Sequence, residues 1–137
     1  MTLGLERFSP QLLSILRIMA GLQFFEHGTA KLLHIPHVAE FDKPLAPMIL
    51  AAGLIELIGG FLITVGFATR LAAFICSGQM AVAYFLIHVR MGRSIFPVQN
   101  EGDAAMLFCF VFLFIASAGA GPWSVDAMIE RNRRADV

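Results

Sequence analysis

The chain has 137 residues, of which 58% are hydrophobic and only 15% charged, with a formal net charge of zero. A mean hydropathy of +0.75 excludes an ordinary soluble domain of this size. Bulk neutrality gives no basis for a nucleic-acid partner or for attraction to an anionic membrane surface.

What remains is an integral membrane protein. A hydrocarbon core of roughly 30 Å is crossed by about 20 helical residues, and four apolar runs approach that length. The first is predicted over 10–33, opening at Ser9-Pro10 with Ser as the N-cap and Pro at the first helical position. Arg7 ahead of an apolar run superficially resembles a secretory signal. The run is too long and too interrupted by Arg17, Gln23 and Glu26, so a retained helix is expected. At 100° per residue, Arg17, Gly21, Phe24, Gly28 and Lys31 fall within about 40° of one line, with His27 at its edge and Glu26 opposite. Glycines on that stripe mark a surface that a second helix can approach closely.

The connection that follows carries Pro36, Pro44, Glu40, Asp42 and Lys43, and reads as a polar loop. His34 and His37 within it have H-x-x-H spacing but straddle Pro36, and are expected to be solvated; no metal site is expected. The second run, 47–67, places Glu56 among Ala52, Gly53, Gly59 and Gly60, a helix contact rather than a lipid face. Counted from the helix starts, Arg17 lies about 10 Å from one face and Glu56 about 13 Å from the other. An intramembrane ion pair between Arg17 and Glu56 is therefore expected, with a structural role favoured over a reactive one.

Only Ala68-Thr69 precede the third run, 70–89, which implies a tight antiparallel hairpin. That run aligns Ser77, Ala81, Tyr84 and His88, the last two at i,i+4, while Gln79 points the other way. After a loop with Pro97, Asn100 and Glu101, the fourth run covers 103–120. Its first turn holds Asp103, where a carboxylate suits the helix dipole, on the face of Leu107, Phe110, Phe114 and Ser117. Gly121-Pro122 stops it, and Trp123 is placed as an interfacial anchor. Cys76 and Cys109 differ in expected depth by about 10 Å and read as apolar thiols, not a disulfide.

The predicted architecture is all-α: one membrane domain over 1–137, folded as an antiparallel up-down four-helix bundle. Both termini then lie on one side. Arg7, Arg70, Arg131, Arg133 and Arg134 on that side against Lys31, Lys43, Arg90 and Arg93 on the other favour a cytoplasmic assignment. His27, Lys31, Tyr84, His88, Asn100 and Asp103 approach the opposite, outer end and form the candidate polar pocket.

These residues carry a family resemblance. Arg17–Leu33, RIMAGLQFFEHGTAKLL, resembles the opening helix of the DoxX family, with its arginine and H-G-x-x-K-L ending. The stretch LIELIGGFLITVGFATRLAA is similar to that family's E-x-x-G-G and G-x-x-T-R motifs, and NEGDAAML and GPWSVDA resemble the start and finish of its last helix. Asp103 stands where the family usually has Glu, and the preceding loop, VRMGRSIFPVQ, is basic.

The resemblance implies a four-helix bundle in a bacterial inner membrane. Family members include a subunit of a thiosulfate:quinone oxidoreductase and a membrane partner of redox enzymes in oxidative-stress defence. The wider group has receptor-assembly roles, so the family does not by itself establish an enzyme. Three readings stay open. In the first, the chain is a subunit or partner of a quinone-linked redox system, and the outer cluster holds a quinone head group. His27 or Lys31 would then donate hydrogen bonds from one side and His88 or Tyr84 from the other, with Asp103 exchanging protons with water. No intrinsic cofactor is expected beyond such a quinone, so electrons would come from a partner protein or the substrate. In the second, the chain is a non-catalytic scaffold or assembly factor. In the third, it is a proton-coupled carrier using Arg17 and Glu56, which would require a homodimer.

Overall fold

A computed structural model describes residues 4–136. Among them lie six helices: α1 (Ser9–Leu33), α2 (Pro47–Val65), α3 (Thr69–Gly92), the single turn α4 (Pro97–Asn100), α5 (Asp103–Ala118) and α6 (Val125–Ala135). Two of them, α2 and α3, are long and apolar enough to cross a membrane, and α5 is a shorter apolar helix. The longest, α1, has 25 residues and is interrupted by Arg17, Glu26 and Lys31.

Local chemistry sets the helix ends. Pro47 opens α2, its missing N–H being one that the first turn leaves unpaired in any case. This helix stops at Val65, short of the predicted 67. Gly66 adopts φ +73° there, and its N–H and that of Phe67 close onto the Leu62 carbonyl at 2.9 and 3.0 Å. In α1, Ser9 is the first helical residue and makes no side-chain cap; a 3₁₀ turn, Glu6–Phe8, leads into it instead. Within α3, Tyr84–Val89 is wound as a π-helix, a distortion that often accompanies functional sites.

Helices α1 and α2 pack antiparallel in a single register. Gly21 of α1 meets the backbone of Thr64 in α2, and Gly28 meets Leu57. Gly60 in turn meets the backbone of Phe25, and Gly53 the Leu32 side chain. A Cβ at Gly21, Gly28 or Gly60 would collide with the backbone of the facing helix, so small residues permit a close backbone approach. On its other side α2 touches α3 where Gly59 meets the Cys76 thiol. Antiparallel packing continues from α3 to α5, where Ser77 Oγ donates to the Cys109 carbonyl at 2.8 Å.

Phe24, Ile63, Cys76, Phe112 and Ile115 are buried at the centre, with the Phe24 ring edge-on to Phe112 at 4.8 Å. The outside is also apolar. Leu71, Phe74, Leu107, Phe110 and Phe114 are all more than half exposed, an outer surface suited to lipid rather than water. The start of α1 and the end of α5 meet where Ser14 Oγ accepts from the Trp123 N–H at 3.2 Å. That end of the molecule is called the terminal end below, and the opposite one the distal end. In the distal loop His37 Nε2 lies 3.0 Å from Asp42, both exposed.

Candidate functional site

Charged side chains form two separate groups, one at each end. At the terminal end they hold the ends of helices. Arg17 is fully buried and donates from Nη1 to the Ile63 and Thr64 carbonyls at 2.6 and 2.5 Å, from Nε to Ala120 at 2.7 Å and from Nη2 to Trp123 at 2.5 Å. One guanidinium thereby ties carbonyls in the last turn of α2 to the turn after α5, where a cation also suits the α2 dipole. Arg70 does the same for α5, donating to the carbonyls of Ala116 at 3.0 Å and of Ser117. Asp126, in the first turn of α6, accepts from the Ala68 and Thr69 N–H groups at 2.9 Å each and so caps α3. The G-x-x-T-R and G-x-x-S-x-D segments are therefore a mutual capping system.

The expected ion pair between Arg17 and Glu56 does not form. The α1–α2 register sets Thr29 level with Glu56 and Ala68 level with Arg17, so the backbones of the two residues stand about 18 Å apart along the helices at 1.5 Å per residue. Depths counted from helix starts failed because α1 and α2 do not begin at equivalent planes. Glu56 pairs with Lys31 instead, Nζ lying 2.6 Å from each carboxylate oxygen. The Glu56 side chain is 3% exposed and that of Lys31 15%. Buried charge demands such pairing, and each partner satisfies the other.

This pair borders a partly open cavity of about 570 Å³ in the distal half, lined by α1, α2, α3 and the start of α5. Polar groups reach it from several sides: His27 and Lys31 from α1, Glu56 from α2, Gln79 and His88 from α3, and Glu40 from the distal loop. The rest of the wall is apolar, including Phe24, Ile55, Met80 and Phe108, and Phe41 of the loop lies 6.0 Å from Lys31 Nζ. Size and lining are those of a small-molecule site. Gln79 Nε2 donates to Glu56 at 3.4 Å, while its buried Oε1 has no partner. A carboxylate only accepts, so the amide must turn its NH₂ toward Glu56.

The six sequence-predicted pocket residues separate into three sets. His27, Lys31 and His88 line the cavity. Tyr84 and Asn100 are buried beside it in a network that fastens the loop between α3 and α5. The Tyr84 hydroxyl donates to the Ile95 carbonyl, Asn100 Nδ2 donates to Ser94 at 2.9 Å, and Asn100 Oδ1 accepts from the Gly102 N–H at 2.8 Å. His88 joins the two sets, its Nδ1 lying 3.1 Å from the Asn100 carbonyl and its ring stacked on Tyr84. Asp103 is exposed and does not line the cavity; Ala104, Ala105 and Phe108 of α5 face it. Its face is that of Leu107, Phe110 and Phe114, which points outward. Sharing an end of the molecule with the other five does not place it on their side of the helix.

Glu56 and Gln79 belong to the cavity and were not among the predicted pocket residues. The small residues around Glu56 correctly signal a helix contact, but the partner follows from register, which no single-helix pattern contains. Gln79 stands away from Tyr84 and His88 on α3, and that direction leads toward α2. No cluster of three or more His, Cys, Asp or Glu side chains suited to a metal is gathered among the described residues.

An apolar exterior, two spanning-length helices and buried charges satisfied internally define a helical membrane-associated protein. The chain belongs to the DoxX family, whose sequence profile matches residues 12–89. It is similar to a Haemophilus influenzae protein described as uncharacterized, 42% identical over 126 residues that cover 90% of this chain and 94% of the relative. No solved structure matches.

Proposed function

We propose that the protein is a membrane subunit or partner of a quinone-linked redox system, holding a quinone head group in the distal cavity. In this reading α1, α2, α3 and α5 all span the bilayer as an antiparallel bundle in a bacterial inner membrane, with both termini cytoplasmic. One observation carries it: a cavity of about 570 Å³, mostly apolar, into which His27, Lys31, Gln79 and His88 bring hydrogen-bonding groups from two facing helices. A quinone ring needs donors to its two carbonyl oxygens and an apolar channel for its tail. The third N–H of Lys31 and an imidazole N–H of His27 are donors on one wall, and His88 faces them from α3. A partner protein or the substrate would deliver electrons.

The test is purification in mild detergent followed by quinone extraction and titration with a short-chain quinone. Stoichiometric quinone, reduced by His27→Ala and by Gln79→Leu, supports the reading. Quinone-free protein that co-purifies stoichiometrically with another subunit supports a scaffold instead. The capping system favours that second reading, because the arginines shared with the family are occupied in holding helix ends. The carrier reading loses its basis, since Arg17 and Glu56 are not partners.

A further inference from the structure

At the terminal end a groove of about 500 Å³ runs between the start of α3, the turn after α5 and α6, lined by Thr69, Arg70, Leu71, Ser124, Asp126 and Ala127. Thr69 is 1% exposed, and its buried hydroxyl oxygen has no hydrogen-bond partner. Arg70 spends its Nη groups on the end of α5 and leaves Nε–H unengaged among the described residues. Leu71, beside it, is 64% exposed and points into the apolar exterior.

Helix α6, which forms one wall, is strongly amphipathic. Val125, Met128 and Ile129 share one stripe, and at 100° per residue Arg131 and Arg133 flank that stripe roughly 100° to either side. Met128, Ile129 and the preceding Trp123 are all about half exposed. The acidic residues of the helix are already engaged: Asp126 caps α3, and Glu130 binds Arg134 at 2.9 Å. Asp136 lies beyond the helix end. Among the described residues Arg131 and Arg133 have no carboxylate partner. Arg131 and Arg133 thus stand on both sides of an apolar stripe, the arrangement of a helix lying in a headgroup layer, while Asp126, Glu130 and Asp136 balance the three arginines of the segment.

We propose that the terminal end binds anionic phospholipids: Arg131 and Arg133 on the two flanks of α6, and Arg70 at the groove beside Asp126, each draw a separate headgroup phosphate, while an acyl chain follows Leu71. Helix α6 then lies in the plane of the interface, held to the bundle by Asp126. The site is independent of the distal cavity.

Trp123, the single tryptophan of the chain, stands at the start of α6 and reports on the lipid beside it. The full chain is reconstituted in phosphatidylcholine nanodiscs containing equal small fractions of brominated phosphatidylcholine or brominated phosphatidylglycerol, and Trp123 quenching is compared. Stronger quenching by the anionic lipid is expected, falling roughly fivefold in local enrichment for each arginine removed in Arg131→Gln and Arg133→Gln. Raised salt should erase the preference. Equal quenching by the two lipids in the unaltered chain overturns the proposal, as does a preference that survives both substitutions. Relief of quenching by inorganic phosphate would assign the site to a free anion and overturn the lipid assignment.

Discussion

Lys31 Nζ lies 2.6 Å from both carboxylate oxygens of Glu56, joining α1 to α2 beside the distal cavity. The bond is nearly dry on the Glu56 side, so removing one partner strands the other charge. Lys31→Met or Glu56→Gln is expected to cost about 3–5 kcal/mol in detergent unfolding. Glu26→Gln, on an exposed position, should be near neutral. The charge swap Lys31→Glu with Glu56→Lys should recover part of the loss, and no recovery would count against direct pairing.

Arg17 holds four backbone carbonyls with one planar group. A lysine keeps the charge but not the fork, so Arg17→Lys should destabilise by about 3 kcal/mol or more. Unfolding of this variant should first loosen the turn after α5, where Ala120 and Trp123 lose their donors. Intrinsic Trp123 fluorescence reads that loosening directly, and an unchanged emission profile would contradict it.

Ala68 sits at φ +47°, a left-handed conformation unfavourable for a residue with a Cβ, and is held there by the Asp126 carboxylate. Ala68→Gly should therefore stabilise the chain by about 1 kcal/mol. Asp126→Asn should destabilise it by about 1 kcal/mol, through loss of the α3 cap. Thermal unfolding of the two variants in the same detergent checks both signs.

Asp103 gives a contrast. It is exposed on the outward face of α5, so Asp103→Asn should leave quinone affinity within twofold of the unaltered chain. Gln79→Leu should weaken it about tenfold, through loss of a polar group that lines the cavity. Affinities from quinone titration decide the matter, and a large effect at Asp103 would move the site toward the outer rim.

The all-α, membrane-associated character and the family are legible in the sequence, because apolar runs and Pro and Gly punctuation report on single helices. The contact face of α1 is legible too: Gly21 and Gly28 lie on one line and meet α2. The partner of Glu56 is not legible. It depends on sliding α1 along α2 until Gly28 meets Leu57 and Gly60 meets Phe25, a property of the pair rather than of either helix. Asp103 failed for a related reason. Its grouping with Leu107 and Phe110 was sound, but that face points outward, and only the packing of α5 against α3 decides which way it turns.

The distal cavity is the centre of the functional account, and filling it is the most direct test. Ala52 lines the wall on α2 and is half-buried, so Ala52→Phe adds bulk to the cavity without touching the charged pair. The measurement is the quinone content of protein purified in mild detergent, alongside its melting temperature. The account predicts stoichiometric quinone in the unaltered chain and at least a tenfold loss in Ala52→Phe at a similar melting temperature. Equal quinone content in the two proteins, or none in either, would contradict it.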